Sequence, residues 1–266
     1  MDRAQTVSLY TRDQRMAVEY PDSRREVLAH VIRHVHLTGN GEGTIIYSQL
    51  DDRNVETAID EQVQYFEAIG QDFEWKVYDY DTPPDLKARL DHRGFDVEEP
   101  EAIMVLDMEG AAVVLHQPVG HRVERVMAAE GPEDVTKIEE AVWGEDQTRL
   151  KSYLAECLER YPTQMSVFVA YLEGNPASTG WIYYPRSSRF ASLWGGSTLE
   201  QFRGRGLYAA LLAVRVQEAK EKGVEYLTVD ASPMSRPILE KYGFETIAYA
   251  HACKWKVKSR KGVSAS

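Results

Sequence analysis

Apolar and polar positions recur along the chain at two spacings, and together they predict a succession of strands and helices. Ser23–Val35 carries Val27, Val31 and Val35 at intervals of four, a helical spacing. Gly43–Ser48 is rich in β-branched and aromatic residues behind a glycine turn and reads as a strand. Asn54–Ile69 places Val55, Ile59, Val63, Phe66 and Ile69 three and four apart and stops at Gly70, which predicts a helix. Phe73–Tyr78 alternates as a strand. Thr82-Pro83-Pro84-Asp85 has the form of a helix start, with the helix ending near Gly94-Phe95 and a strand following at Ala102–Leu106. Gly110–Gly120 reads as a connection in which Ala111–Leu115 admits a strand.

The pattern then begins again. Arg122–Ala128 predicts a strand, and Pro132–Trp143 and Asp146–Arg160 predict helices. Met165–Leu172 and Ser178–Tyr184 are strands about a Gly174-Asn175-Pro176 turn, and Phe190–Thr198 is another. Arg205–Lys222 is the clearest helix, with Leu207, Leu211 and Val214 on one stripe, lysines in the last turn and Gly223 beyond it. Glu225–Ala231 is a strand, Arg236–Tyr242 a short helix, Phe244–Val257 one or two closing strands, and 259–266 a loose tail. The order strand, long helix, strand, short helix, Gly-Phe, strand occurs at 44–106 and again at 190–257, as duplication of one unit would produce. The expected division is a first domain at 1–110, a linker at 111–120 and a second domain at 121–258.

Composition narrows the class. With 266 residues, 43% apolar and 10% aromatic, the chain can fill packed cores. The longest apolar runs, such as Ile103–Leu106, fall far short of the roughly 18 residues of a membrane span. Met1–Thr6 leads into Arg12, Asp13 and Arg15 with no apolar run, unlike a signal peptide. Cys157 and Cys253 make no disulfide framework, and neither they nor the seven histidines show metal spacing. A reduced, cytoplasmic protein without a metal is expected. Charge is uneven: residues 1–110 hold 11 Lys+Arg against 24 Asp+Glu, a net of −13, and the remainder 20 against 18, a net of +2. A phosphate backbone would be repelled by the first half, so no nucleic-acid partner is expected, and neither is a membrane. Oligomeric state is not legible in the pattern.

Candidate chemistry concentrates in Phe202-Arg203-Gly204-Arg205-Gly206-Leu207-Tyr208-Ala209, between a strand and a helix. Glycines leave backbone amides unobstructed, the helix N-terminus adds partial positive charge, and two arginines add full charges; together they suit phosphate oxygens. A glycine turn without a ligand is the bland alternative. A P-loop fails, because no Gly-Lys-Ser/Thr follows. A dinucleotide site matches Gly204-x-Gly206-x-x-Ala209, with Asp230 ending the next strand, but only about 60 residues remain for a second mononucleotide half. Ser192–Thr198 also lacks the apolar run of a buried parallel strand.

Arg203-Gly204-Arg205-Gly206-Leu207-Tyr208 resembles the Arg/Gln-x-x-Gly-x-Gly/Ala loop of the GNAT superfamily of acetyl-CoA-dependent N-acetyltransferases, departing from it at Tyr208. A second block also resembles the family: Val229-Asp230-Ala231-Ser232, then Ser235–Tyr242, then Gly243-Phe244. The resemblance runs from about Val123 to Trp255. It implies an α/β (α+β) fold of two GNAT-like units, each a mixed, largely antiparallel twisted sheet flanked by helices. The first unit is a truncated, degenerate copy, whose linker Gln49-Leu50-Asp51-Asp52-Arg53 has two acids and no glycine and should not hold pyrophosphate.

The resemblance further implies acetyl-CoA as co-substrate. Its pyrophosphate would lie on amides from Gly204 to Ala209, flanked by Arg203 and Arg205. Its pantetheine arm would pair with the main chain of Gly196, Ser197 and Thr198, with Ser232 nearby. Acetylation of a primary amine in a ternary complex needs a base, for which Asp230 and Glu200 are the candidates, with the Glu145-Asp146 pair also weighed. Asp230 is expected to share an outward strand face with Tyr226 and Thr228. The family's leaving-group tyrosine is replaced by Leu239; Tyr242 is out of register, and Tyr208 or water could substitute. Trp143, Trp181 and Trp194 could line an acceptor pocket, core packing being expected for at least two. The acidic surface favours a cationic amine acceptor. A CoA-binding sensor without turnover is the alternative, and a dinucleotide-binding protein a remote one.

Overall fold

The computed structural model describes residues 2–257 except Asn40 and Ala129, so the tail expected at 259–266 lies outside the described residues. Helix α1 (Arg3–Tyr10) runs into a π-helical stretch, Thr11–Met16. Neither is announced by the hydrophobic pattern, because the buried face is Thr6, Tyr10, Asp13, Gln14 and Arg15. Strands β1 (Ser23–Val27) and β2 (Val31–His36) form a hairpin where a helix is predicted. Valines four apart satisfy both periods. The strand wins because β2 is buried on both faces and Glu26 lies directly opposite Arg33, with their side chains paired at 2.7 Å. Then come β3 (Gly43–Ser48), α2 (Val55–Ile69), β4 (Phe73–Tyr78), α3 (Leu86–Arg93), β5 (Asp96–Val97) and β6 (Glu101–Asp107). Helix α3 starts later than the Thr-Pro-Pro-Asp pattern suggests, since the Thr82 hydroxyl is engaged on the Leu50 carbonyl at 2.9 Å.

Val113–His116 is a 3₁₀ turn, correcting the strand considered at Ala111–Leu115. The Gln217 side-chain amide donates to the Leu115 carbonyl of this turn and to that of Gln117 just after it, each at 2.9 Å, so neither needs a strand partner. Strand β7 (Arg122–Arg125) is shorter than expected. Helices α4 (Glu133–Trp143) and α5 (Thr148–Arg160) precede β8 (Met165–Leu172) and β9 (Asn175–Tyr183). The β8–β9 turn sits one residue earlier than read from sequence, at Glu173-Gly174, where both φ angles are positive (54° and 82°) as a two-residue hairpin requires. The remaining elements are β10 (Phe190–Thr198), α6 (Leu207–Glu221), β11 (Tyr226–Ala231), α7 (Arg236–Glu240) and a single closing strand, β12 (Glu245–Trp255).

Two compact units result, one comprising residues up to Ala102 together with those from Ala248 onward, the other Ile103–Ile247. The division read from sequence cuts the chain once. Here the chain returns, because residues 250–255 of β12 pair with β4 of the first unit. The first unit's sheet runs β1-β2-β3-β4-β12, with β3 and β4 parallel and the other pairs antiparallel. Ile59, Val63, Phe66, Phe73, Trp75, Leu86 and Leu90 form its core. Each large apolar side chain buried there contributes about 1.5–3 kcal/mol.

The second unit's sheet runs β11-β10-β9-β8-β7, antiparallel except for the parallel β10–β11 pair, with residues 103–107 of β6 beyond β11. It is not the doubly wound parallel sheet that a dinucleotide site requires. Val135, Ile138, Leu154, Val167, Leu211 and Leu227 are buried against it. Each unit thus contains a parallel strand pair joined through a 15-residue helix, α2 or α6, which is the echo visible in the sequence.

Candidate functional site

In the second unit β10 pairs with β11 only from Phe190 to Ser192, while it remains paired with β9 as far as Thr198. From Leu193 onward its other edge is open, and β10 and β11 part to leave a slot. A bulge between Trp194 and Ser197 contains Gly195 (φ 60°) and Gly196. A Cβ on Gly195 would collide with the Trp181 ring, and one on Gly196 would lie 2.7 Å from the Tyr208 ring, so backbone must be bare here. Leu199 N–H donates to the Ala177 carbonyl at 3.0 Å, which fixes the parity of the strand. The main chain of Ser197 therefore faces β9, where its carbonyl also accepts the Ser178 hydroxyl at 2.7 Å. Gly196 and Thr198 face the slot; the Thr198 carbonyl accepts Arg203 Nε at 3.3 Å.

The glycine loop stands at the mouth of this slot. Gly204 (φ 74°) and Gly206 (φ 79°) are left-handed, a conformation that glycine adopts without strain, and Gly206 is the N-cap of α6. The first amide of α6 with a backbone acceptor is that of Ala210, to the Gly206 carbonyl at 3.0 Å; among the described residues the amides from Gly204 to Ala209 engage no backbone carbonyl. Residues 203–206 are exposed, Leu207 is buried, and Tyr208 and Ala209 are half-buried. Arg205 pairs with Glu173 at 3.3 Å. The open amides at a helix N-terminus, two flanking cations and an unpaired strand edge fit a diphosphate attached to an extended amide chain.

The Tyr208 ring lies against Gly196. Burial pushes its pKa up, the nearby Arg215 cation pulls it down, and Tyr242 raises it, so the phenol stays protonated near neutrality. Leu239, at the position of the family's leaving-group tyrosine, is fully buried core. Arg215 is 1% exposed and donates Nε to the Leu211 carbonyl (3.0 Å) and Nη1 to the carbonyls of Trp181 (3.4 Å) and Trp194 (3.3 Å).

The expected bases lie on different elements. Asp230 is half-buried near the end of β11; Thr228 on the same face is buried and donates to the Met104 carbonyl, so that face is covered rather than outward. Glu200 is exposed on a 3₁₀ turn after β10. Asp146 accepts the backbone amide and the hydroxyl of Thr148 at the start of α5, and Glu145 is exposed. Ser232 is exposed, and its hydroxyl accepts the Ser235 amide at 3.3 Å, organising the turn before α7. Only Trp181 of the three tryptophans is core; Trp143 and Trp194 are exposed, against the expectation for at least two. A carboxylate absent from the sequence-based candidates, Glu139 of α4, is buried beside Ser197, and Trp143 Nε1 donates to its Oε2 at 2.8 Å. The available signal was an acid adjoining the Val135–Ile138–Val142 apolar stripe. Among the described residues no cluster of three or more His, Cys, Asp or Glu could hold a metal, and no helix is long and apolar enough to cross a membrane.

The first unit has the same parting of parallel strands after Ile45 and Trp75, but its own side chains occupy the slot. Arg15 Nε donates to the Ile46 carbonyl at 3.0 Å, and its other nitrogens grip Asp81 at 2.7 and 2.8 Å, with the guanidinium 3.8 Å over the Tyr78 ring. Asp81 also accepts the Tyr78 amide at 3.0 Å. Beside this plug a cavity of about 370 Å³ remains, bordered by Ser8, Thr11, Tyr47 and Tyr80. Before α2, Asp51 Oδ1 accepts the amides of Arg53 (2.8 Å) and Asn54 (3.2 Å). A carboxylate thus sits on the helix N-terminus that a phosphate would need.

The sequence model of the family described as "Acetyltransferase (GNAT) domain" matches residues 129–254. Comparison with proteins of curated function returns no match. Among solved structures, a GCN5-related N-acetyltransferase from Kribbella flavida is similar at TM-score 0.67 and 16% identity, covering 95% of this chain and 93% of that one. A functionally unknown conserved protein from Staphylococcus epidermidis gives TM-score 0.68 at 12% identity, covering 90% and 96%. A tandem GNAT protein from the clavulanic acid biosynthesis pathway gives 0.60 at 12%, covering 92% and 86%. At these identities the structures establish the fold: the chain has the GNAT fold, and its residues 129–254 match the sequence model of a GNAT acetyltransferase domain.

Proposed function

We propose that the second unit is an acetyl-CoA-dependent N-acetyltransferase acting on a primary amine by direct attack in a ternary complex, and that the first unit holds no CoA. The observation that carries this reading is the open row of amides from Gly204 to Ala209 at the mouth of the β10–β11 slot. The diphosphate would be held by those amides with Arg203 and Arg205. The pantetheine arm would pair with Gly196 and Thr198, and the acyl end would lie deeper in the slot. Ser232, at the turn after β11, borders the arm in this reading. When bound, acetyl-CoA supplies an activated acyl carbon. The protein's part is to orient it, to hold the amine nearby and to manage two protons. Tyr208, kept protonated by burial, can give a proton to the departing sulfur. Removal of the amine proton falls to a carboxylate bordering the slot. Asp230 on β11 and Glu200 after β10 are the two the sequence supplies.

Calorimetry with acetyl-CoA is expected to give one site per chain. Gly206→Val, which forces a β-branched residue to φ 79°, is expected to abolish it while leaving the fold intact. Two equal sites per chain would refute the division of labour between the units. One observation favours a second reading, a CoA-binding sensor without turnover: the buried Leu239 at the position of the usual acid. CoA release with any amine in a broad screen eliminates it.

A further inference from the structure

The start of β7, the β8–β9 turn and the glycine loop meet at one end of the second unit. Arg122 of β7 lies opposite Tyr171 of β8, and Glu173 of the following turn binds Arg205 of the loop. His121, the residue before β7, adds a third contact. Its Nε2 stands 3.3 Å from where a Cβ on Gly206 would lie, and apart from the adjoining chain no other described atom comes within 4 Å of that point. Gly206 is the N-cap of α6, so the imidazole borders the same row of amides, Gly204 to Ala209, that engages no backbone carbonyl. Among the described residues the ring has no hydrogen bond or ion pair, and neither of its nitrogens is sealed, so both open to solvent. The charged groups on the elements around it have partners of their own. Arg122 pairs with Glu124 at 2.7 Å and lies over the Tyr171 ring, Arg205 pairs with Glu173 at 3.3 Å, and Arg203 donates to the Thr198 carbonyl at 3.3 Å. Between Gly206 and Arg215 helix α6 carries no charged side chain, and residues 117–120 carry none.

We propose that His121 is part of the diphosphate grip: protonated, it donates Nε2–H to a phosphate oxygen lodged on the Gly204–Ala209 amides, so that binding of acetyl-CoA takes up a proton. The proposal rests on the acetyltransferase reading above and deepens it, by adding a titrating cation to a site otherwise held by amides and two permanently charged arginines. Histidine is the side chain whose ordinary titration falls between about pH 5 and 8, whereas arginine is charged throughout. The imidazolium offers a phosphate a full charge and two donors; the neutral ring offers one donor and no charge. Because the bound anion favours the charged ring, full affinity is present at low pH and is lost as the pH rises and the ring gives up its proton. Capture of the carrier thus depends on pH, although neither the amides nor the arginines of the site titrate. No covalent bond changes; one proton moves from solvent to the imidazole as the complex forms.

The test is calorimetry of the full chain with acetyl-CoA and with acetyl-dephospho-CoA, which keeps the diphosphate but lacks the 3′-phosphate, a monoester that itself titrates near about pH 6. Titrations from about pH 5.5 to about pH 8.5 give the affinity, and two buffers of different ionisation enthalpy give the protons taken up. With the dephospho compound, wild type is expected to bind about fivefold more weakly at the upper end than at the lower, with proton uptake on binding. His121→Gln is expected to show the weaker affinity at every pH without proton uptake, and His121→Arg the stronger affinity at every pH. A ring that merely supported the loop would instead cost the same affinity at all pH values and would not be rescued by arginine. A wild-type affinity independent of pH, a His121→Gln chain that keeps the pH dependence, or a His121→Arg chain as weak as His121→Gln overturns the proposal and leaves the acetyltransferase reading standing. So does pH dependence with acetyl-CoA that vanishes with the dephospho compound, which assigns the effect to the 3′-phosphate. A chain that binds neither compound at any pH removes the reading and the proposal together.

Discussion

Arg215 and Glu139 meet the same bulge from its two ends, one through the Trp194 carbonyl and the other beside the Ser197 hydroxyl, and among the described residues neither has an opposite charge to offset it. Burial of this kind is costly at the scale of one residue, and it leaves a signature in solution wherever the buried group titrates. His34 of the first unit provides one. It is 3% exposed; burial, assisted by the Arg25 charge, lowers its pKa to about 4, so it is neutral in the folded state. In the unfolded chain the imidazole titrates near its ordinary 6.5. Between these values the unfolded state binds the extra proton. Its contribution to stability is therefore complete above pH 6.5 and lost as pH falls towards 4, a loss of about 3 kcal/mol at about 1.4 kcal/mol per pH unit. Urea unfolding of His34→Leu should show a flatter dependence over this window; a slope equal to wild type would contradict the assignment.

At the scale of elements, the two parallel strand pairs show how one supersecondary unit can be open or closed. In the second, the β10 edge is bare and α6 begins on two left-handed glycines. In the first, Arg15 and Asp81 satisfy the parting strands, and Asp51 satisfies the start of α2. Sequence exposed only the last of these, since the acids of the 49–53 linker are local. Arg15 is 31 residues from Ile46 and 66 from Asp81, too far for any window of periodicity to connect them. Asp81→Asn should leave the Arg15 charge buried without its partner and destabilise the first unit by about 3–5 kcal/mol in denaturant, with acetyl-CoA affinity unchanged. A loss below about 1 kcal/mol would mean that the strand edges do not depend on the plug. The β1–β2 hairpin makes the same point from the other side: Val27, Val31 and Val35 fit a helix locally, and the cross-strand Glu26–Arg33 pair decides against it.

At the scale of the whole chain, the net charge of −11 concentrates in the first 110 residues, and its field should attract a cationic acceptor. For spermidine, kcat/KM should fall several-fold between about 20 and about 200 mM salt, as screening shortens the reach of that field from about 20 Å to about 7 Å. A neutral-at-pH amine such as an arylamine should show little change. Equal salt dependence for both would remove the argument from surface charge.

The local pattern by itself determined most of what is local. It identified the strands from Gly43 and Phe73, the helix from Val55 to Ile69, the glycine loop with its two arginines, and the repeated strand–helix–strand order. In these the signal lies within a few residues, in side-chain period, turn chemistry and bare backbone. Tertiary structure alone decided which row of main-chain groups at Gly196–Thr198 faces the slot, why the first slot is filled, and that Glu139 rather than an exposed acid stands buried beside the bulge. Those facts depend on strand parity and on contacts between residues far apart in sequence, and hydrophobic burial, which has no direction, cannot specify them from composition alone.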